Sequence, residues 1–202
     1  MKQDINLLAY ENNLIKNGHH LIAGMDEAGR GPLAGPVTAC CCIPNLTQII
    51  DGINDSKQLS VKKRELYFNE LINTSIGYSI VDVECDEIDE INILNATKKA
   101  MHNAVLSILP VPEIVLVDAV KYDFGIDSIS LIHGDTLSYS IASASIIAKV
   151  HRDALMMKYA TVYPEYGFEK HKGYGTKLHI DMLKKYGPCP IHRKTFIKKF
   201  ID

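Results

Sequence analysis

With 202 residues, 47% of them hydrophobic and 23% charged, the chain has the make-up of an average globular domain, with room for one core but hardly for two. No stretch approaches the ~20 consecutive apolar residues of a membrane helix. Residues 1–18 alternate charges with leucines where a signal peptide needs an unbroken apolar centre. A cytoplasmic protein with no membrane association is therefore expected, and a monomer, since no interface pattern is visible.

In chain order, apolar residues at helical spacing (Ile5, Leu8, Leu14, Ile15) predict a helix over 3–17, stopped by Gly18. His20–Met25 reads as a buried strand ending at an acidic, glycine-rich loop, Asp26-Glu27-Ala28-Gly29-Arg30-Gly31. Gly35-Pro36 opens a second strand, Val37–Ile43. Asp55-Ser56-Lys57 falls in a loop, and Ser60 can cap a helix running to about Asn73. A third strand spans Ile76–Val83, and one long helix is predicted over Asp86–Leu109, ending before Pro110. The β-rich run Ile114–Val117 delivers Asp118, and Ile129–Ile132 precedes His133-Gly134-Asp135. A helix over Tyr139–Tyr159 carries small residues on one side (Ala142, Ser145, Ala148), which lets it lie close to a sheet. Another helix is predicted over Thr176–Tyr186, with a final segment after Pro190. No repeat or linker interrupts this order, which predicts an α/β domain with a mixed sheet.

The net charge of −2 conceals an asymmetry. Residues 170–202 hold nine Lys/Arg against two Asp/Glu, a local +7, and the first 169 hold 13 against 22, a local −9. A basic end on an acidic body suits a protein that binds a polyanion with one face and cations with another. On charge alone, an ordinary solvated helix explains the lysines equally well. The five cysteines include no Cys-x-x-Cys pair, and the histidines show no ligand-like spacing. Small buried residues in a reducing compartment explain the cysteines better than disulfides or zinc.

Chemistry is read from where acids fall. Asp26 and Glu27 follow one apolar run, Asp118 a second, and Asp135 comes after a third. In open α/β sheets, residues at carboxyl ends of different strands converge in one crevice. Converged carboxylates repel unless a cation lies between them, and hard oxygen ligands suit Mg²⁺ or Mn²⁺. Two such ions can activate water and stabilise the leaving oxygen of a phosphodiester. A lone Asp at a strand end is more often a turn former or helix cap. The denser cluster Asp82, Glu84, Asp86, Glu87, Asp89, Glu90 lacks the buried context and is read as a solvated surface. Gly24 to Gly29 matches half of a phosphate-binding loop but has Arg30-Gly31 where Lys and Ser/Thr belong. Carboxylates inside it would also repel phosphate.

The stretch Gly24-Met-Asp-Glu-Ala-Gly-Arg-Gly-Pro-Leu-Ala-Gly-Pro-Val37 resembles the opening motif of the ribonuclease HII family, within the type 2 ribonucleases H. Asp55-Ser-Lys-Gln-Leu-Ser60, Val117-Asp-Ala119, Gly134 to Asp153, Lys172-Gly-Tyr-Gly-Thr176 and Gly187 to Phe196 resemble its further motifs, in order, over residues 20–200. The resemblance implies a single domain over 1–202 with the ribonuclease H-like fold, a mixed sheet flanked by helices, and a basic helical C-terminal extension over 170–202. It implies a site of Asp26, Glu27, Asp118 and Asp135 binding Mn²⁺ or Mg²⁺. The implied substrates are RNA–DNA hybrids and duplex DNA containing ribonucleotides. Gly29, Arg30 and Gly31 would touch the ribose 2′-hydroxyl, and Tyr174 would stack at the junction with deoxyribose. Lys57, Lys149 and Arg152 are candidates for phosphate contacts. Two departures stand out: Thr136-Leu137 where the family usually has Ala-Lys, and Ser143 for a usual alanine. Asp153, beside Arg152, is expected to be structural. Acid geometry alone also fits other two-metal nucleases of the same fold, or a non-catalytic hybrid binder. The glycine loop, Tyr174 and four intact carboxylates separate them.

Overall fold

The computed structural model describes residues 6–54, 56 and 59–201, so Lys57 and residues 1–5 lie outside it. Helix α1 covers Ala9–Lys16, β1 Ile22–Ala28, β2 Val37–Ile43, α2 Val61–Thr74 and β3 Gly77–Val83. Then come α3 (Cys85–Ile91), α4 (Ile93–Ser107), β4 (Ile114–Asp118), β5 (Ser128–Leu131) and α5 (Tyr139–Val162). Three helices close the chain: α6 (Phe168–His171), α7 (Lys177–Tyr186) and α8 (Lys194–Ile201). The strands form one mixed sheet in the order β3-β2-β1-β4-β5. The β1–β2 and β2–β3 pairs are antiparallel, and β4 runs parallel to both β1 and β5.

Helices cover both faces. Period-2 alternation sends Ala23 and Met25 of β1 into a core with Ala100, Met101 and Ala104 of α4. On the other face Ile22 packs with Ile141 of α5, and Cys40 and Cys42 of β2 pack with Ala144 and Ala148. Gly24 faces α5 so closely that a Cβ there would overlap the Ser140 backbone. The small residues of α5 and this glycine together let the helix lie directly over the central strand.

Two predicted elements differ. The first strand runs past the apolar segment, because the antiparallel ladder continues through Asp26–Cys40, Glu27–Ala39 and Ala28–Thr38. Asp26 and Glu27 are therefore strand residues, not loop residues. The helix expected over Asp86–Leu109 is two helices split at Asn92, whose φ of 66° breaks the ladder. The Asn92 side chain restarts it by accepting from the N–H groups of Leu94 and Asn95. The acidic cluster is not merely solvated. Asp89 accepts from the N–H groups of Lys194 and Thr195 at 2.6 and 2.9 Å, which caps the start of α8 and docks it on α3.

Candidate active site

The site lies where β1 and β4 end side by side. Asp26, Glu27, Gly29, Arg30, Gly31, Ser56, Asp118, Ser145, Lys149 and Tyr174 line one cleft of about 210 Å³. Asp26 is 4% exposed and held in place by two hydrogen bonds. Its carboxylate accepts the Glu27 N–H at 2.7 Å and a hydrogen bond from the Ser145 side chain. Ser145 in turn lies 2.9 Å from the Ser56 hydroxyl, which ties the motif around Ser56 to the first acid. Burial, and then the charges of Glu27 and Asp118, push the Asp26 carboxyl well above the usual range. Asp118 accepts the Gly134 N–H at 2.7 Å, so the turn after β5 is fastened to the end of β4. Asp135 is buried in the 3₁₀ turn Gly134–Thr136, beside that contact, and is not among the residues lining the cleft. Glu27 is turned to Arg30 at 3.3 Å.

Crowded carboxylates in a small polar cleft are a donor set for a hard divalent cation, which would offset the repulsion that burial intensifies. Asp26, Glu27 and Asp118 fit that role chemically. Among the described residues no three acidic, His or Cys side chains converge tightly enough to hold an ion as they stand.

The remaining expected contacts divide. Tyr174 is 42% exposed and lines the cleft rather than the core. Lys149 also lines it, its ammonium 5.7 Å from the Tyr174 ring centre and 2.8 Å from Asp153. Arg152 does not reach the cleft and corrects the expectation of a phosphate contact. It is 0% exposed, and its guanidinium donates to the carbonyls of Pro36, Lys172 and Ala34 at 2.9, 3.1 and 3.1 Å. An arginine on a helix face that packs inward cannot offer its head to a ligand.

The structure adds residues that the sequence did not single out. Arg193 is equally buried and donates to the carbonyls of Gly29, Arg30 and Gly35. Burial, and then the neighbouring Arg152 charge, lower it to about 10, so it stays protonated at neutral pH. The Tyr174 backbone is held by a histidine stack. His171 and His179 lie parallel, their ring centres 4.4 Å apart. His192 Nδ1 accepts the Cys189 N–H at 2.9 Å, which leaves the proton on Nε2 to donate to His179 Nε2 at 3.0 Å. His179 Nδ1–H then donates to the Tyr174 carbonyl at 3.0 Å; these tautomers follow from the bonding pattern. Burial lowers His179 and His192 to about 4, so the relay is neutral. Histidines 8 and 13 positions apart carry no sequence signature, because they lie on different elements that only the fold brings together.

Comparison with known proteins bears on the family and the fold. The family described as Ribonuclease HII matches residues 23–199. A ribonuclease HII of Caldicellulosiruptor saccharolyticus is 52% identical over 199 residues, 98% of this chain and 97% of that one. The ribonuclease HII of Chlamydia trachomatis is 50% identical over 190 residues, 93% and 87% of the two chains. Among solved structures, the ribonuclease H2 of Pyrococcus horikoshii superposes with a TM-score of 0.76 at 29% identity, covering 89% of this chain and 96% of that one. The sheet and its flanking helices are thus a ribonuclease H-like fold.

Proposed function

The chain belongs to the ribonuclease HII family of metal-dependent nucleases, which hydrolyse the RNA of RNA–DNA hybrids, and from that premise we propose that it also cuts duplex DNA on the 5′ side of a single embedded ribonucleotide. The observation that carries the reading is the shared cleft: carboxylates, glycine loop and Tyr174 line the same 210 Å³. A shared cleft supports chemistry on a phosphate beside the reading of a sugar in one substrate.

Asp26, Glu27 and Asp118, with the adjacent Asp135, would hold divalent metal, Mg²⁺ or Mn²⁺. Two such ions, when bound, would activate a water and stabilise the leaving oxygen. The chain's own residues do the rest. The Ser56–Ser145–Asp26 hydrogen bonds and the Gly134–Asp118 bond fix two of the carboxylates before substrate arrives, the preorganisation on which catalysis by charge depends. Gly29 has a φ of 96°, which an L side chain rarely adopts, and its loop brings backbone amides to the ribose 2′-hydroxyl, the group that distinguishes RNA from DNA. Tyr174 stacks on the neighbouring deoxyribose, where a second 2′-hydroxyl is crowded. Lys149 meets a phosphate from the far wall. Water attacks phosphorus and the 3′-oxygen departs, leaving 3′-hydroxyl and 5′-phosphate ends. The 2′-hydroxyl is held rather than used as nucleophile, so no cyclic phosphate forms.

The test is a labelled duplex with one ribonucleotide, incubated with Mg²⁺, with Mn²⁺ and with chelator, and its products mapped by end chemistry. Cleavage 5′ of the ribonucleotide in metal only, with 3′-hydroxyl ends, is expected. Cyclic phosphate, or activity in chelator, would overturn the reading.

A further inference from the structure

The described residues contain two wholly buried guanidiniums, Arg152 and Arg193, and neither is paired with a carboxylate. A buried charge without a counter-ion is a poor way to stabilise a fold; an apolar residue of similar volume does as well or better. What these two charges hold is specific. Every hydrogen bond they make to backbone goes to carbonyls of Gly29, Arg30, Ala34, Gly35 and Pro36, and to Lys172 two residues before Tyr174.

We propose that Arg193 is a positioning residue that turns two successive amides, those of Arg30 and Gly31, outward into the cleft as a paired donor to the substrate sugar. This rests on the glycine loop reading a ribose, as argued above. The geometry follows from the planar trans peptide, in which C=O and N–H point in opposite directions. Arg193 Nη2 holds the Gly29 carbonyl at 2.6 Å and Nη1 the Arg30 carbonyl at 3.0 Å. With both carbonyls drawn into the protein, the amides of the same two peptide units, which belong to Arg30 and Gly31, face the other way. Neither has an acceptor among the described residues, and both residues line the cleft. A Cβ on Gly31 would meet only Tyr174, at 4.0 Å, so the space beside the loop at Gly31 is open.

Successive N–H groups on one side of the chain make a concavity for an oxygen atom. The planar fork of arginine is needed because one side chain spans three carbonyls; an ammonium is a point donor and cannot. The segment that supplies Arg193 is clamped to the same loop by its backbone: Arg193 N–H donates to Leu33 at 2.9 Å and Gly35 N–H to Ile191 at 2.9 Å. The C-terminal segment therefore shapes the reading loop directly.

The test compares wild type with Arg193→Lys, which keeps the charge and loses the fork. Affinities are measured for two duplexes of one sequence, one with a single ribonucleotide and one all-deoxy, in buffer with Ca²⁺ in place of Mg²⁺. The preference for the ribonucleotide duplex should fall about tenfold, the loss of one to two directed hydrogen bonds, with the loss confined to that duplex. An equal loss on both duplexes, or an unchanged preference in the folded variant, overturns the role. Amide NMR on the wild type needs no variant to fold. The Arg30 and Gly31 signals should shift on adding the ribonucleotide duplex and not its all-deoxy twin, and identical shifts with both overturn the role. A wild type with no preference between the duplexes overturns the ribose reading itself, and this inference with it.

Discussion

At Asp26 stability and chemistry pull in opposite directions. Its carboxyl is raised by burial and by two neighbouring acids, so the folded protein resists ionising it more than the unfolded chain does. A raised folded pKa stabilises below the unfolded value, and that stability is lost as pH rises through the folded value. In chelator at pH 7.5, Asp26→Asn should therefore melt higher than wild type, by about 2–4 °C for each kcal/mol of relieved repulsion, while being inactive in metal. A lower melting temperature would show the carboxylate to be a structural hydrogen-bond acceptor instead. Asp118→Asn should abolish cleavage yet bind a hybrid within about tenfold of wild type, because binding rests on phosphate contacts elsewhere. Full activity of that variant in metal-replete buffer removes Asp118 from the site. Tyr174→Ala should impair the single-ribonucleotide substrate more than a continuous hybrid, since base and sugar stacking contributes roughly 1–3 kcal/mol. Equal losses together with a lowered melting point would make Tyr174 a packing residue. That Asp26, Glu27, Asp118 and Tyr174 share one cleft agrees with what residue type and neighbouring sequence suggest, whereas Asp135 lies outside its lining. Arg152 was not legible: its chemistry reads as a phosphate ligand, and only packing reveals that its head is spent on backbone carbonyls.

Among the elements, β2 and the starts of α2, α5 and α7 follow from the chain itself, since Pro36 and the caps Ser60, Ser138 and Thr176 act within a few residues. The end of β1 did not, because the ladder that extends it is with β2 and the strand's own apolar run stops at Met25. The break at Asn92 was missed for a related reason: asparagine within an apolar-periodic run reads as a weak helix former, and its positive φ becomes visible only when α3 and α4 diverge. The histidine relay joins elements distant in sequence, α6, α7 and the turn before α8, and it gives a pH signature. His179 and His192 are lowered to about 4, so in the window from about 6.5 down to 4 the unfolded chain takes up protons that the folded one refuses. Stability is present above that window and lost as pH falls through it, with a slope approaching roughly 2.7 kcal/mol per pH unit for two protons. Urea midpoints at pH 7, 6 and 5 should fall accordingly in wild type. In a His179→Asn, His192→Asn double variant they should start lower at pH 7 and then stay nearly flat. An equally steep fall in the double variant would assign the acid sensitivity to other groups.

For the whole molecule, the −9 body and +7 end take on distinct jobs once folded. The acidic body supplies the cleft carboxylates, and it supplies Asp86 and Asp89, which hold the start of α8 at Lys194 and Thr195. The C-terminal segment looks both ways: Arg193 faces inward to the glycine loop, while Lys184, Lys185, Lys198 and Lys199 are exposed on α7 and α8. Charge alone could not tell a binding face from a solubilising one, and the fold sharpens the question, because all four lysines sit on helices anchored beside the loop rather than on a loose tail. If they meet phosphates, each contact releases a counter-ion, and log K falls against log salt with a slope of about −0.9 per contact on duplex DNA. Charge reversal at Lys184-Lys185 or at Lys198-Lys199 should then lower affinity, flatten the salt dependence by up to about two contacts, and leave the cut position unchanged, since phosphate contacts position a duplex without reading it. The measurement is binding between 50 and 300 mM salt, roughly the range where such slopes resolve, for wild type and both variants, with the cut mapped on the same duplex. A wild-type response already flat across that range would make the basic helices a solvated surface. A moved cut would mean that these lysines help select the phosphate that is hydrolysed.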